Sequence, residues 1–432
     1  MEENNQYTNT KVLPKDFTSG WLIALVIAGT GLTLPILFLG SEIALAIGFK
    51  KSLWAFGIST LVLTLMCLAT TLIGNRSRLS TYMILHFSFG KKGAKIMNFI
   101  FGITLLGWFS VALELIAIAI KDTAITTLSI HLQEWPIIIV FGVLISVTTI
   151  YGIKSLEKLA NFAVPVLTVF LGYVVYRSLN ITSFTEIVNF VPENPSMTLF
   201  QATSILVGSS ILFPVLMADF SRFIHNDKQS LIAVLGITIG FPIALLFSAI
   251  PSIQSGEVDI IKIMKQLDLV APAFILLLVS TWGGNASNLY STVLTFSTIK
   301  TNWNFKKMTV IMGFFGIVIA LFGFSNYLFD FLDFLGVLAP SISAIYIINF
   351  FWIKKQEYNL DEIVEWEITA IISWVISSVI TIFTYLEIFE ITHAYFVDSF
   401  LLGGIIYFLL KRKSLKAWGG ITANDDLKLN PH

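Results

Sequence analysis

Long apolar stretches separated by short polar segments recur along almost the whole chain. A helix that crosses a membrane needs about 20 mainly apolar residues. Stretches of that kind, numbered below as spans one to twelve, lie at 20–47, 52–74, 96–120, 136–153, 159–179, 199–218, 231–250, 270–294, 308–326, 331–353, 367–387 and 394–410. The pattern predicts an all-α membrane protein with about twelve transmembrane helices.

Composition supports the same class. Hydrophobic residues make up 56% of the chain and charged residues 12%, whereas soluble domains carry roughly a quarter charged residues. The 27 basic residues equal the 27 acidic ones, so nothing indicates a nucleic-acid partner. The expected surroundings are a lipid bilayer.

The positions of Lys and Arg predict the orientation. Positive charge accumulates in short cytoplasmic loops, and an N-terminus inside the cell places all but six of the 27 basic residues there. With an even number of spans, both termini are then cytoplasmic. The polar start of the chain lacks the basic and apolar segments of a signal peptide, so span one is expected to be retained.

Two spans share an internal pattern. Gly29 precedes Pro35 by six positions in span one, and Gly208 precedes Pro214 by six in span six. Pro165 in span five and Pro340 in span ten are separated by a similar offset. We therefore expect two five-helix repeats of opposite orientation between flanking segments: 1–18 tail, 19–180 first repeat, 199–353 second repeat, 367–410 two further helices, 411–432 tail.

Matched helix interruptions are typical of a transporter binding site at the bilayer midplane. Unwinding frees backbone groups that lipid cannot satisfy but a substrate or ion can. This makes Gly29, Thr30 and Gly31 candidate substrate contacts. The alternative is that Gly and Pro form simple kinks and packing points.

Polar side chains at membrane depth are further candidates. Span eight has a dense run of amides and hydroxyls from Ser280 to Thr292, in which Asn285 and Asn288 share one helix face. An Asn donates and accepts hydrogen bonds, which suits the edge of a heterocyclic base; bonding between helices is the alternative. Trp108 in span three could form a flat wall for a planar ligand or only pack.

Glu114 follows in span three, where a carboxyl is neutral, paired or part of a proton path. Glu42, near the end of span one, is interpreted as interfacial. The loop from 75 to 95 is basic, and is either a helix against the cytoplasmic surface or a solvated loop. The histidines lie away from mid-membrane and no phosphate-binding loop occurs, so neither a metal or haem cofactor nor ATP use is expected.

Five segments together resemble the nucleobase:cation symporter-1 family, in its cytosine and purine/cytosine permease branch. They are RSRLSTYMILHFSFGKKGAK, LLGWFSVALELIA, PVLMADFSRFI, WGGNASNLYSTVLTFSTI and APSISAIYIINFF. The resemblance implies a leucine-transporter-like fold, with a five-plus-five inverted repeat and two extra helices. It also implies uptake of a nucleobase-like compound with a cation.

The resemblance also implies roles for residues. The base would stack on Trp108, while Asn285, Ser209 and Ser210 read its polar edge. A sodium site would join Gly29 and Leu32 to the stretch from Ser280 to Gly284. There are two departures from the family pattern. Gly283 and Gly284 stand where hydroxyl residues are expected, and Ser210 stands where an aromatic is expected, with Phe213 the nearest substitute.

The resulting prediction is a secondary active importer in the inner or plasma membrane, working by alternating access, with a small-molecule substrate and with sodium or protons as coupling ion. A monomer is expected. The same fold could instead carry hydroxymethylpyrimidine, a hydantoin or an amino acid. An intramembrane enzyme would need clustered acids or histidines, which the sequence lacks, and a ligand receptor is a third alternative.

Overall fold

Helices form nearly all of the regular structure. The computed structural model describes residues 10–426 apart from 152, 300–302, 360, 362 and 393, and without the side chains of 126, 127, 153–161, 261, 270–277, 280, 298 and 413–426. The helices are α1 (Gly20–Gly31), α2 (Leu34–Ile47), α3 (Phe49–Ser77), α4 (Thr81–Leu128), α5 (Glu134–Thr149), α6 (Ile153–Ile181), α7 (Phe184–Asn189), α8 (Leu199–Ser210), α9 (Leu212–Leu216), α10 (Ala218–Ser221), α11 (Asp227–Thr238), α12 (Gly240–Ser255), α13 (Ile260–Gln266), α14 (Val270–Ile299), α15 (Phe305–Leu321), α16 (Leu328–Ile348), α17 (Ile368–Tyr385) and α18 (Tyr395–Asp426).

The all-α prediction is confirmed, and each of the twelve apolar stretches falls on one helix or on consecutive helices. Within the described residues, seven helical stretches are long and apolar enough to cross a membrane. The bent pair α1 and α2 would make an eighth. The chain is thus a multi-pass membrane protein, and the count of twelve remains a prediction.

Span one is broken where the sequence predicts. Leu32 leaves helical geometry, Thr33 is extended, and α1 and α2 meet at an angle of 57°. Pro35 stands in the first turn of α2, where its missing amide hydrogen costs nothing. A new helix, α2, therefore begins directly after the break.

Span six is broken far less than predicted. α8 and α9 are separated only by Ile211, which keeps right-handed helical dihedrals (φ −59°, ψ −32°). Pro214 has no amide hydrogen to bond the carbonyl of Ser210, but Val215 still bonds Ile211 at 3.2 Å. The expectation of helices broken at matching places in spans one and six is therefore wrong for span six: Pro214 removes a single hydrogen bond, and within the described residues the sharply bent helix pair is α1 and α2.

Gly208 lets span six pack closely on span ten. A Cβ at Gly208 would lie 2.4 Å from the backbone oxygen of Leu332 in α16. Small residues of this kind allow membrane helices to approach each other.

We expect Gly208→Ala to lower the thermal unfolding midpoint of the detergent-solubilised protein, because overpacking against backbone costs about 1–3 kcal/mol. Gly57→Ala is the matched control, since its Cβ would meet nothing within 4 Å. Equal midpoints for the two variants would contradict close packing at Gly208.

One end of the helix assembly, called here the basic end, is tied together by the N-terminal segment and Arg78. The amide of Thr18 donates to the carbonyl of Phe223 at 2.7 Å, and that of Val12 to the carbonyl of Arg78 at 3.2 Å. The Arg78 guanidinium donates to the carbonyls of Ile224 and His225. These bonds join the start of α1 to the end of span six.

The loop predicted between spans two and three is mostly structured. Ser80 caps α4, and residues 79–85 are buried. At Gly90 (φ 78°, ψ 168°) the axis kinks, and the amides of Lys91 and Lys92 donate to the carbonyls of Val364 and Glu365 at 2.9 Å. The interpretation as a solvated loop is therefore wrong, and the helical alternative is confirmed.

Candidate functional site

A cavity lies between the break in span one and the helices of spans three, six, seven and eight. It encloses about 910 Å³ of empty space, its mouth included. Its walls come from α1, α2, α4, α9, α10, α11, α12 and α14 and from the end of α8. The predicted contacts that line it are Thr30, Gly31, Trp108, Ser209, Ser210, Phe213, Gly284, Asn285 and Asn288.

Trp108 forms an aromatic part of the wall. Its side chain is 8% exposed, and the edge of its ring packs against Phe331, with centroids 6.0 Å apart at 66°. Phe324 packs in turn against Phe331, at 5.3 Å. Because these rings hold the indole from behind, Trp108 both packs and lines the cavity, so the two interpretations of this residue are compatible.

Asn285 presents a free acceptor. Its amide nitrogen donates to the backbone carbonyl of Phe109 at 3.0 Å, which fixes the side chain on α14 against span three. Its Oδ1 is buried and receives no hydrogen bond from any described residue. An unsatisfied buried acceptor costs about 1–3 kcal/mol, and a ligand N–H that reached this oxygen would relieve that cost.

The polar end of α8 supplies two hydroxyls. Ser209 donates to the carbonyl of Leu206 at 2.8 Å, and its oxygen lies 3.3 Å from that of Ser210. Both serines are buried, and Phe213 lies one turn further along the cavity wall. The hydroxyls and the phenyl ring thus face the same space as Trp108.

The break in span one is held by span eight. The amide of Leu34, at the start of α2, donates to the hydroxyl of Thr281 at 3.1 Å. At Gly284 an added Cβ would lie 2.6 Å from the Thr33 methyl group. Gly284 therefore permits the break to approach α14, which gives a packing reason for a glycine at this position.

Thr281→Val should lower the thermal unfolding midpoint, because a nearly isosteric change leaves the buried Leu34 amide without its acceptor at about 1–3 kcal/mol. Thr281→Ser keeps the hydroxyl and should retain most of the stability. If valine and serine variants unfold at the same temperature, the hydroxyl does not hold the break.

Several predicted residues lie outside the cavity wall. Gly29 faces α6, where a Cβ would lie 2.8 Å from Val164, and Leu32 is buried. The carbonyl of Gly283 accepts from Ser287 at 3.1 Å. Glu114 accepts from the amide of Ser325 at 3.0 Å. The side chain of Ser280 lies outside the described residues.

Sequence reasoning missed several lining residues. Thr33, Thr281, Ser287 and Ser291 add hydroxyls to the wall, and Phe241 adds a further aromatic side chain from span seven. The three span-eight hydroxyls lie in the polar run already noted, but its sequence alone does not say which members face the break. Phe241 sits in an apolar stretch and carries no distinguishing signal.

The described side chains that line the cavity carry no formal charge. Of the described residues that line it, none is Asp, Glu, Lys, Arg or His. Burying an unpaired charge in such surroundings is costly. The wall therefore suits a neutral ligand with a flat face and a donor on its edge.

A broken membrane helix beside a polar but uncharged cavity defines a membrane transport protein. The chain belongs to the family of permeases for cytosine/purines, uracil, thiamine and allantoin, whose pattern it matches over residues 15–409. The resemblance noted from the sequence is confirmed, and the chain is a permease and not an enzyme.

Individual relatives agree with this assignment. The cytosine permease of Escherichia coli (strain K12) is 29% identical over 359 residues, which cover 82% of this chain and 83% of that one. The hydantoin permease of Microbacterium maritypicum is 27% identical over 299 residues, 64% of this chain and 61% of that one.

Solved structures share the fold. The transporter Mhp1 of the nucleobase-cation-symport-1 family, closed with bromovinylhydantoin bound, superposes with a TM-score of 0.84 at 18% identity. That match covers 95% of this chain and 96% of the other. A Na⁺-coupled sialic acid symporter gives 0.65 at 13% identity, with 93% of this chain and 92% of the other covered. The leucine-transporter-like fold is thus confirmed.

Proposed function

We propose that this permease imports a neutral nucleobase or a related planar heterocycle across the cell membrane by alternating access. The uncharged cavity between Trp108 and the free oxygen of Asn285 is the observation that carries the proposal. An aromatic face stacks on the ring of a base, and an amide oxygen accepts from its ring or exocyclic N–H groups. The E. coli relative named for cytosine supports a pyrimidine.

We further propose two inverted repeats of five helices among twelve spans, and helix packing supports the five-helix repeats. α1 packs on α11 and α6, which lie in spans seven and five. α8, its counterpart in span six, packs on α3 and α16, which lie in spans two and ten. Spans one, five and seven thus correspond, at a distance of five places, to spans six, ten and two. Two repeats of five helices require this correspondence.

Orientation, site and coupling complete the proposal. Both termini are placed in the cytoplasm, because basic residues gather at the end that holds Arg78. Asn288, Ser209, Ser210 and Phe213 are assigned to the substrate together with the span-one break. Sodium or protons supply the driving force, with the ion placed between the break, near Gly29 and Leu32, and α14. The protein acts as a monomer.

Uptake into proteoliposomes tests the proposal. Radiolabelled cytosine, hypoxanthine and hydroxymethylpyrimidine are offered while the sodium and proton gradients are varied separately. Accumulation of one of them, driven by one gradient, is expected. Failure of all three to accumulate under either gradient would exclude nucleobase import, and accumulation without a gradient would exclude ion coupling.

Another neutral heterocycle is the second candidate, favoured by the relative named for hydantoin. Thermal-shift titration of the purified protein with cytosine, a hydantoin and an amino acid separates these. The amino acid is expected to give no shift, since no charged side chain among the described lining residues would pair with its two charges. A shift with the amino acid alone would overturn the base and heterocycle assignments together.

A further inference from the structure

A second cavity lies at the end of the molecule opposite the basic end. It opens between α2, α8, α16, the end of α17 and the start of α18, and encloses about 1090 Å³ of empty space, its mouth included. None of the residues that line it lines the cavity beside Trp108. The transport site therefore does not account for it.

Its wall is strongly acidic. Five carboxyl groups line it, and among the described lining residues there is no Lys or Arg. The five are Glu42, Asp333, Glu387, Glu390 and Asp398. Carboxylates that gather around one space create a negative potential there, which raises the local concentration of cations.

Asp398 gives an independent indication of a ligand. Its side chain is 2% exposed and lies in the first turns of α18. Oδ1 accepts from the Thr392 hydroxyl at 2.6 Å, but Oδ2 is buried and has no hydrogen-bond donor among the described residues. A buried carboxylate oxygen without a donor is costly, and a cation in the cavity that Asp398 lines would relieve that cost.

The arrangement does not suit a metal ion. Among the described residues, no three Asp, Glu, His or Cys side chains are grouped closely enough to hold one. The carboxyls are instead spread around a roomy space, at ends of several helices. A larger cation, whose charge reaches more than one carboxyl, fits this spacing better.

Aromatic residues line the same space. Tyr385 and Tyr395 meet edge to face with centroids 5.6 Å apart, and Tyr395 donates a hydrogen bond to Asp333. Phe329 lies on the wall beside them. Ammonium groups bind well where carboxylates and aromatic faces occur together, since the ring faces add cation–π attraction.

We propose that this acidic cavity is a binding site for a small organic cation that carries one or more ammonium groups. The site is separate from the nucleobase cavity but shares a helix with it. Ser204 of α8 lines the acidic cavity, and Ser209, five residues along the same helix, lines the other. At 1.5 Å rise per residue these positions are about 8 Å apart along the axis.

Calorimetric titration of the full-length protein in detergent, at low ionic strength, with choline and with putrescine tests the proposal. Saturable binding of at least one is expected, and Asp398→Asn should raise its Kd at least tenfold. The asparagine keeps an oxygen that accepts from Thr392 and has nearly the same size as aspartate. Glu42→Gln should also raise the Kd, and it leaves the contact between Asp398 and Thr392 unchanged.

Glu193→Gln is the matched control, because this exposed carboxyl does not line the cavity. Its Kd should equal that of the unmodified protein. Trp108→Ala should leave cation binding intact, which separates this proposal from nucleobase transport. Absence of binding by both cations, or equal Kd values for the Asp398, Glu42 and Glu193 variants, would overturn the assignment.

Discussion

Trp108→Ala is expected to raise the Kd of a planar base by roughly 5- to 140-fold, since stacking of a base on an aromatic ring is worth about 1–3 kcal/mol. Trp108 lines the cavity and is buried against Phe331, so packing restricts the orientation of its indole. A base that stacks on the indole therefore loses little binding free energy to the ordering of this side chain. Equilibrium binding of radiolabelled base to the purified protein measures the effect.

Two further variants make this result specific. Trp108→Phe keeps an aromatic face and should lose much less affinity than alanine does. Trp54→Ala removes a tryptophan of α3 that is 69% exposed, outside the cavity wall, and should leave Kd unchanged. If Trp54→Ala weakened binding as much as Trp108→Ala, the wall formed by Trp108 would not be the stacking surface.

Asn285→Leu should weaken binding on a similar scale, roughly 5- to 140-fold. Leucine fills nearly the same volume but offers no acceptor, so a ligand N–H that pointed at Oδ1 would be buried without a partner at about 1–3 kcal/mol. The contact with the Phe109 carbonyl is also lost. Kd for cytosine, measured by the same binding assay, reports the change.

The ligand itself provides the control for Asn285. An analogue of cytosine with hydrogen in place of the exocyclic amino group lacks that donor, and should bind the unmodified protein and the leucine variant with similar Kd if Oδ1 reads the amino group. A loss of equal size for cytosine and for the analogue would show that Oδ1 does not read the amino group, and that Asn285 acts on a ring N–H or through the fold.

The sequence predicts those features that depend on local chemistry. The bend in span one follows from glycines and from Pro35, which starts a helix but cannot continue one. Trp108 and Asn285 are identifiable because an amide or a central indole in an apolar stretch is costly or unusual without a partner. These inferences need only the spacing along one helix.

The remaining features depend on contacts between helices. Pro214 predicts a break in span six, but Ile211 keeps right-handed helical dihedrals there, and Gly208 brings this span close to the Leu332 backbone of span ten. Gly284 stands out in sequence as a missing hydroxyl, whereas in the structure it makes room for Thr33. The hydrogen bond from Leu34 to Thr281 joins residues 247 positions apart. Neither local sequence indicates that these two residues are in contact.

The backbone hydrogen bond between Thr18 and Phe223 provides a way to follow local opening at the basic end. The amide nitrogen of Thr18 lies 2.7 Å from the carbonyl oxygen of Phe223. Its hydrogen exchanges with deuterium only while this hydrogen bond is open. The segment before α1 must lift from the end of span six for this to happen at Thr18. Deuterium uptake at Thr18 therefore reports how readily this segment opens from the end of span six.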